Sequence, residues 1–294
     1  MKFTLYHDSR VGGRKNNQDR LLYRYTSDAL LMVVADGMGG HSYGEVASLI
    51  ATARISSFFA DCAKPYLVNP AQFLLDAFLD AHETVKALAG EHPRPPLTTC
   101  VACIVQNGQA WWAHAGDSRF YLIRDGRLLA RTRDHSYVEG LFQRGLLSAE
   151  ETLRHPQRNL VLSCLGAQEN PRIDRDSQNL QNGDVILLCS DGVWEPLREQ
   201  TLVNSYRLGE VEKVSPKLLD RAQQNAGDNA DNLTLIAMRW QGTDSGPVTV
   251  SNFPATIFDV AGDQTGAAGT SPVMLDEDDI ERAIADIKTR IKTQ

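Results

Sequence analysis

Aspartates stand where the most apolar segments of the chain begin or end. Three apolar segments run directly into Asp36, Asp117 and Asp191, and a fourth starts just after Asp231. If that last strand lies antiparallel to its neighbours, its start meets their ends at one edge of a sheet, and four carboxylates converge there. Converging carboxylates repel and raise each other's pKa unless a cation neutralises them. Oxygen-only ligands suit Mg²⁺ or Mn²⁺, so these residues indicate a metal site. Ions there could stabilise the attacking and leaving oxygens of a displacement at phosphorus.

A simple turn is the competing interpretation of each aspartate. Asp-Gly is a common turn dipeptide, and Asp125-Gly126 between two apolar segments is predicted to be a hairpin turn. The other four aspartates open the longer strings DGMGGH, DSR, DGVWE and DNLT, which no turn rule requires. We therefore expect Asp125 to be structural and the other four to be ligands.

The elements that must position these residues are apolar strands interrupted by two long helices. The strands are predicted at 30–35, 99–106, 109–115, 119–124, 184–190 and 232–240. Paired strands with a helix pair inserted between them favour antiparallel sheet with helices outside it over a βαβ repeat.

The helices have recognisable start signals. Ser42 and Glu45 match a capping box, which predicts the start of the first long helix. Asn69-Pro70 predicts the start of the second long helix, and Gly90 predicts its end. A further capping box is predicted at 148–151, in a polar segment between strands.

Composition and charge exclude several classes of protein. The chain has 294 residues, a net charge of −7 and no apolar stretch long enough to span a membrane. Nine acidic and four basic residues fall within 241–294, so the rest of the chain is nearly neutral and gives no electrostatic reason to expect nucleic-acid binding. The five scattered cysteines and the lack of a signal-like N-terminus favour a cytoplasmic protein.

The composition changes after residue 240. Residues 1–240 are predicted to form one folded domain, and 241–294 an acidic linker and tail, rich at first in Gly, Ser, Thr, Pro and Asp. Isoleucines at helical spacing predict a short helix at 276–292. That helix could pack on its own domain or dock a kinase, a substrate or a second copy of the chain.

The chain resembles the metal-dependent type 2C serine/threonine protein phosphatases, particularly their bacterial branch. The resemblance runs from about residue 6 to 240 and rests on ordered motifs, namely GGRKNNQDR, VVADGMGGHSYGE, LTTCV, AHAGDSRFYLIRDG, TRDHS, HPQRNLVLSCLG, GDVILLCSDGVWE and DNLTLIAM. It implies an α+β fold, a four-layer α-β-β-α sandwich with two central antiparallel sheets flanked by helices.

The resemblance also implies a role for each ligand. Asp36 would bridge two core ions, Mn²⁺ or Mg²⁺, and Gly37 would contribute its backbone carbonyl. Asp191 and Asp231 would bind the first of these ions. Asp117 would help to hold a third, weaker ion.

Three further residues are implied to act in the reaction. Arg14 would grip the substrate phosphate, a task that suits its planar guanidinium. Asp19 would act through metal-bound water. His41 would protonate the departing oxygen, unless a metal-bound water does so.

Other matches and departures bear on the surroundings of the site. Segment 135–165 resembles a mobile flap beside the site, and Asn232 matches the family. Glu195 stands where Asp is more usual, which is expected to loosen the third-ion environment. Gln18 replaces a frequent Glu, which removes one negative charge next to Asp19.

Competing chemistries fail on spacing. None of the cysteines has arginine six residues later, as a thiolate phosphatase requires, and no GxxxxGK[ST] motif is present. In a strand, Cys100 and Cys103 would face opposite sides, which argues against a zinc or redox pair.

The predicted function is metal-dependent hydrolysis of phosphoserine and phosphothreonine by direct attack of a hydroxide held between the metals. The expected partners are phosphoprotein substrates and an opposing bacterial Ser/Thr kinase. Two alternatives stay open at this point: a catalytically weak binding or regulatory protein on the same fold, and a phosphatase of small phosphate monoesters.

Overall fold

The computed structural model describes residues 1–38, 43–89, 95–207, 209–243 and 249–251. Within these residues the elements follow in the order β1 Lys2–Arg10, β2 Asp19–Tyr25, β3 Ala29–Met38, α1 Tyr43–Cys62, α2 Pro70–Ala89, β4 Leu97–Thr98, β5 Cys100–Gln106, β6 Gln109–Ala115, β7 Arg119–Arg124, β8 Arg127–Arg131, α3 Tyr137–Gln143, α4 Ala149–Arg154, β9 Asp174–Asn179, β10 Val185–Cys189, α5 Asp191–Trp194, α6 Glu199–Ser205, α7 Val211–Ala226, β11 Leu233–Gly242 and β12 Thr249–Ser251. The cap predicted at Ser42, the helix end predicted at Gly90 and the helix predicted at 276–292 lie outside the described residues.

Two sheets form the centre of the molecule. The first has the strand order β12-β1-β11-β10-β7-β8, and the second has the order β2-β3-β5-β6-β9 with β4 beside β3. Neighbouring strands are antiparallel except β1 and β12, which run parallel. The expected pair of antiparallel sheets is confirmed.

The alternation of side chains along β3 explains the layers. Leu30, Met32 and Val34 face the other sheet and pack into the core between the two sheets. Leu31 and Val33 face the opposite way, into the core beneath α1 and α2. Each such fully buried aliphatic side chain stabilises the fold by about 2 kcal/mol.

Helices cover the outer faces of both sheets. On the second sheet, α1 and α2 contribute Ile50, Phe59 and Phe78 to the outer core. On the first sheet, α7 contributes Leu218 and Leu219 to a third core. These packings complete the four-layer α-β-β-α sandwich. Among the described helices, none combines the length and the apolarity needed to cross a lipid bilayer.

All six predicted strands are present, but four long strands within the described residues, β1, β2, β8 and β9, were not predicted. Of these, β2, β8 and β9 lie at sheet edges, where only one side is hydrogen-bonded to a neighbour. β9 has the sequence DRDSQN, which carries no apolar side chain to set a period. Strand formation there depends on pairing with β6, a contact that composition does not encode.

The turn predicted at Asp125-Gly126 is confirmed. It joins β7 to β8, and both residues have positive φ, 50° and 71° respectively. Asp125 therefore forms the hairpin turn and is not one of the aspartates at the sheet edge described below.

Strand register brings the aspartates to one edge of the sandwich. In the second sheet, Asp19 at the start of β2 pairs with Asp36 near the end of β3. In the first sheet, Cys189 at the end of β10 pairs with Leu235 of β11, so Asp191 and Asp231 lie at the same edge. The connection from β6 to β7 crosses between the sheets at this edge and carries Asp117.

Candidate active site

A cavity of about 580 Å³ opens at the edge where the two sheets meet. Six of the residues predicted to form the site line it, namely Arg14, Asp36, Gly37, Asp117, Asp191 and Asp231. Asp19 is 1% exposed and lies beside Asp36 in the β2–β3 pair. His41 lies outside the described residues. The structure thus brings together every predicted ligand.

Two carboxylate oxygens at this site are buried without a hydrogen bond. Asp19 accepts a hydrogen bond from the Ser190 hydroxyl at 2.7 Å through Oδ2. Oδ1 of Asp19 and Oδ1 of Asp191 have no hydrogen-bond partner among the described residues. A buried polar atom is costly unless it is paired, so these oxygens fit a cation or the water bound to one. The residues present therefore match the hard divalent ions that the sequence predicts.

The electrostatics of the cluster point to the same requirement. Burial raises the pKa of Asp36 well above its usual value, and the nearby charges of Asp19 and Asp191 raise it further. Burial also raises the pKa of Asp117 to about 7 and that of Asp19 to about 6. Carboxylates with such raised pKa values become stable anions at neutral pH when a cation lies among them.

The loop that carries Arg14 packs closely against the start of β11. Nη2 of Arg14 donates to Oδ2 of Asp231 at 2.6 Å. Gly12 has φ of +62°, and a Cβ atom there would lie 2.0 Å from the carbonyl oxygen of Asp231. Glycine is therefore required for the loop to approach, and this approach places the arginine at the mouth of the cavity.

Asn232 holds this loop in place, a role that the sequence did not reveal. Its side-chain amide donates to the carbonyl oxygens of Val11 at 2.9 Å and Asn16 at 3.0 Å. Its Oδ1 accepts from the backbone N–H of Gln18 at 2.8 Å. One buried side chain thus ties both ends of the Arg14 loop to the strand that follows Asp231. The sequence signal that could have indicated this role is the Asp231-Asn232 pair directly before an apolar strand.

Gly37 faces the start of α1 at very short range. A Cβ atom at Gly37 would lie 2.0 Å from the carbonyl oxygen of Gly44, and one at Gly44 would lie 2.6 Å from the carbonyl carbon of Gly37. The N–H of Gly37 also donates to the carbonyl oxygen of Gln18 at 3.2 Å. The backbone predicted to ligate metal is therefore fixed from two sides.

Asp117 is supported by Trp194 and Arg119, which sequence reasoning did not select. The indole N–H of Trp194 donates to the backbone carbonyl oxygen of Asp117 at 3.0 Å. The guanidinium of Arg119 lies 3.4 Å from the centroid of the Trp194 ring and forms a two-pronged ion pair with Asp134 at 2.8 and 2.7 Å. Because Trp194 belongs to α5, whose first residue is Asp191, its indole links two predicted ligands.

Segment 135–165 lies beside the cavity, as predicted. Asn159 and Val161 line the cavity, and the capping box predicted at Ser148 and Glu151 starts α4. Glu195, which was expected to loosen the third-ion environment, accepts from Nε of Arg158 at 2.7 Å. Its carboxylate is therefore directed to the flap-like segment.

The comparisons with known proteins match these features. Residues 8–228 match the family model described as Protein phosphatase 2C. The serine/threonine protein phosphatase PstP of Mycobacterium tuberculosis is 33% identical over 228 residues, which cover 76% of this chain and 42% of PstP. The chain thus spans less than half the length of that relative.

Two further matches cover nearly the whole of the matched chain. The serine/threonine phosphatase stp of Listeria monocytogenes is 30% identical over 248 residues, covering 82% of this chain and 93% of stp. A crystal structure of the catalytic domain of PstP in complex with two manganese ions superposes with a TM-score of 0.67 at 27% identity, covering 81% of this chain and 99% of that one. The resemblance seen in the motifs is confirmed, and the chain belongs to the protein phosphatase 2C family.

Proposed function

We propose that this protein is a metal-dependent phosphatase that hydrolyses phosphoserine and phosphothreonine in proteins. The observation that carries the proposal is the convergence of Asp36, Asp117, Asp191 and Asp231 with Arg14 on one cavity. Relatives that are matched over most of their length and described as serine/threonine phosphatases support the substrate class.

The metals of this site are Mn²⁺ or Mg²⁺. Asp36, Asp191 and Asp231 with the carbonyl of Gly37 would hold two core ions, and Asp117 would help to hold a third. When bound, these ions supply an activated water and neutralise charge that develops at phosphorus. The structure of the PstP catalytic domain in complex with two manganese ions supports manganese as the metal and two as the number of core ions.

The chain's own residues bind and orient the substrate. Arg14 lies at the mouth of the cavity with its side chain 59% exposed, so a phosphate can reach its guanidinium from solvent. A phosphate monoester presents two oxygens to that planar group, which matches bidentate binding. Asp19 pairs with Asp36 between β2 and β3, and its unpaired Oδ1 would orient a water molecule held by these ions. His41 as the proton donor to the departing oxygen stays a prediction.

Turnover of a phosphothreonine peptide with Mn²⁺ tests the proposal. Asp36→Asn should abolish turnover while the far-ultraviolet circular dichroism spectrum stays unchanged. EDTA should abolish turnover of the unaltered protein, and Mn²⁺ should restore it. Asp125→Asn, in the hairpin turn, is the matched control and should retain turnover. Full activity of Asp36→Asn, or persistent activity in EDTA, would contradict a metal mechanism.

The two alternatives are separated by the same assay. A binding protein on this fold would show no turnover with Mn²⁺, although all the predicted ligands described in the structure are present. A small-molecule phosphatase would hydrolyse an aryl phosphate efficiently and the phosphopeptide poorly. We expect the phosphopeptide to be preferred.

The remaining proposals concern partners and organisation. An opposing Ser/Thr kinase and a cytoplasmic location are proposed. So is the division into a catalytic domain at 1–240 and an acidic tail at 241–294, although β12 adds residues 249–251 to the first sheet. The contribution of the tail is tested by deleting residues 253–294. Turnover of the phosphopeptide and binding of the proposed kinase are then measured.

A further inference from the structure

Two histidines and an aspartate lie together outside the aspartate cluster. His114 is in β6, Asp174 is opposite it in β9, and His135 follows β8. Nitrogen atoms of the two histidines and a carboxylate oxygen of Asp174 all lie within 4.8 Å of one another. His114 and Asp174 line a cleft of about 860 Å³ that also contacts β8 and is open to solvent. We refer to the three residues as the His-His-Asp cluster.

His114 presents a free lone pair. Its side chain is buried, and Nε2 lies 2.7 Å from the carbonyl oxygen of Arg133. Because a carbonyl only accepts, Nε2 carries the proton and Nδ1 carries the lone pair. Nδ1 has no hydrogen-bond partner among the described residues. A backbone carbonyl on one ring nitrogen and an open lone pair on the other is the arrangement typical of metal-binding histidines.

His135 and Asp174 have the separation of two ligands of one ion. Nε2 of His135 lies 3.3 Å from Oδ2 of Asp174. Ligands of a tetrahedral zinc ion at the usual bond lengths are ~3.3 Å apart. Nε and Nη2 of Arg172 donate to Oδ1 and Oδ2 of Asp174 at 2.9 and 2.5 Å, which orients the carboxylate.

Both imidazoles are available as neutral ligands. Burial lowers the pKa of His114 and lowers that of His135 to about 4. Metal ligation requires the neutral ring, so little proton competition is expected near pH 7. Two imidazoles and one carboxylate suit zinc and similar transition metals better than Mg²⁺.

We propose that the His-His-Asp cluster is a binding site for a transition-metal ion of the zinc class, distinct from the aspartate cluster. Nδ1 of His114, Nε2 of His135 and a carboxylate oxygen of Asp174 are the ligands.

Zinc binding at this site changes the hydrogen bonds of Gly116. Nδ1 of His135 accepts from the N–H of Gly116 at 3.3 Å, so the proton of the metal-free ring is on Nε2. Ligation through Nε2 moves that proton to Nδ1, the ring stays neutral, and the Gly116 N–H loses its acceptor. Gly116 has φ of +112°, and a Cβ atom there would lie 2.6 Å from Cβ of Thr99. Gly116 directly precedes Asp117, so zinc binding alters the position of that predicted ligand.

The binding site is tested by metal analysis of the full chain dialysed against Zn²⁺ in the presence of excess Mg²⁺. We expect one zinc ion per chain at the His-His-Asp cluster, in addition to the ions bound at the aspartate cluster. Asp174→Asn and His114→Gln should lower the affinity for that ion by ~10-fold or more. Asp176→Asn, two residues along β9 in the same cleft, is the matched control and should keep the ion. Asp36→Asn should keep it as well.

Cobalt provides an independent readout of the ligands. Co²⁺ on two imidazoles and a carboxylate with low coordination number absorbs visible light more strongly than Co²⁺ on oxygen ligands alone. The unaltered chain and Asp176→Asn should show this band, and Asp174→Asn should lose it. Equal zinc binding by the unaltered chain, Asp174→Asn and His114→Gln would overturn the site. Loss of the ion in Asp36→Asn would instead place it in the aspartate cluster.

Coupling to Asp117 rests on the proposed function and is tested separately. With Mn²⁺ saturating, Zn²⁺ should reduce phosphopeptide turnover several-fold in the unaltered chain and in Asp176→Asn. Asp174→Asn should resist this inhibition. Equal inhibition of all three would overturn the coupling. Absence of turnover with Mn²⁺ alone would count against the phosphatase, while zinc stoichiometry would still decide the site.

Discussion

Arg14 and Asp231 form an ion pair of 2.6 Å across the mouth of the active-site cavity, although 217 residues separate them in the chain. The pair joins the residue predicted to bind phosphate to one predicted to bind metal. A metal ion held by Asp231 would therefore compete with Arg14 for this carboxylate. We propose that metal binding would leave the guanidinium available for the substrate phosphate.

Replacing Arg14 should separate these two effects. Arg14→Ala should lower kcat/KM for a phosphopeptide by roughly 30-fold, since a charge-assisted contact contributes about 2 kcal/mol. The same change should lower the Mn²⁺ concentration needed for half-maximal activity, because Asp231 no longer has an arginine partner. Lys15→Ala, in the same loop and cavity, is the control and should have a small effect on both. Weaker Mn²⁺ binding in Arg14→Ala would contradict the competition.

The metal-free protein should lose stability as pH rises. The folded-state pKa is about 6 for Asp19 and about 7 for Asp117, both above the ordinary value of 3.8. The folded state therefore binds more protons than the unfolded state between about pH 4 and pH 7, and stability falls across that window. In EDTA we expect Tm to be higher at pH 5 than at pH 8, by roughly 5 °C.

Saturating Mn²⁺ should remove or reverse this trend. The ion binds the deprotonated carboxylates of the folded state, so it stabilises the protein more at pH 8 than at pH 5. Thermal unfolding followed by circular dichroism measures both conditions. A metal-free Tm that rises from pH 5 to pH 8 would show that the buried carboxylates do not govern stability there.

Trp194 should set the affinity of the ion at Asp117. Trp194→Phe keeps a ring beneath Arg119 and removes the N–H that holds the Asp117 carbonyl at 3.0 Å. Loss of about 1 kcal/mol should weaken the third ion roughly fivefold and leave the two core ions unchanged. Calorimetric titration with Mn²⁺ measures this. Trp240→Phe, near the C-terminal end of β11 and away from Asp117, is the control.

The Arg158–Glu195 ion pair should anchor the flap-like segment. Its side chains are 47% and 30% exposed, so each single charge removal should cost about 0.5–1 kcal/mol. We expect Arg158→Ala and Glu195→Gln each to raise KM for a phosphopeptide more than they lower kcat. Hydrogen exchange in 137–160 should become faster. The charge-swapped double variant Arg158→Glu with Glu195→Arg should recover part of the loss, and failure to do so would exclude the pair as the anchor.

The predicted metal ligands could be selected from the sequence because their neighbours in sequence are distinctive. Asp36, Asp117, Asp191 and Asp231 each end or begin an apolar strand in an unusual context, and Asp125 does not. The opposite faces assigned to Cys100 and Cys103 are likewise confirmed, since they pack into different cores.

The supporting residues were not predictable in the same way. Asn232 and Trp194 act through hydrogen bonds to backbone atoms that are distant in sequence. Such roles depend on which loop a side chain meets after folding, and local composition does not encode that. The polar edge strand β9 was not predicted for a similar reason, because only its pairing with β6 makes it a strand.

The crossing of the chain between the sheets at Asp117 has a consequence for assembly of the fold. One sheet supplies Asp19 and Asp36, and the other supplies Asp191 and Asp231. Neither sheet with its helices has the full set of predicted ligands, so we expect tight ion binding to begin only after these two halves have docked. Divalent ions should therefore slow unfolding by cross-linking the two halves, and an early refolding species with one formed half should bind them weakly.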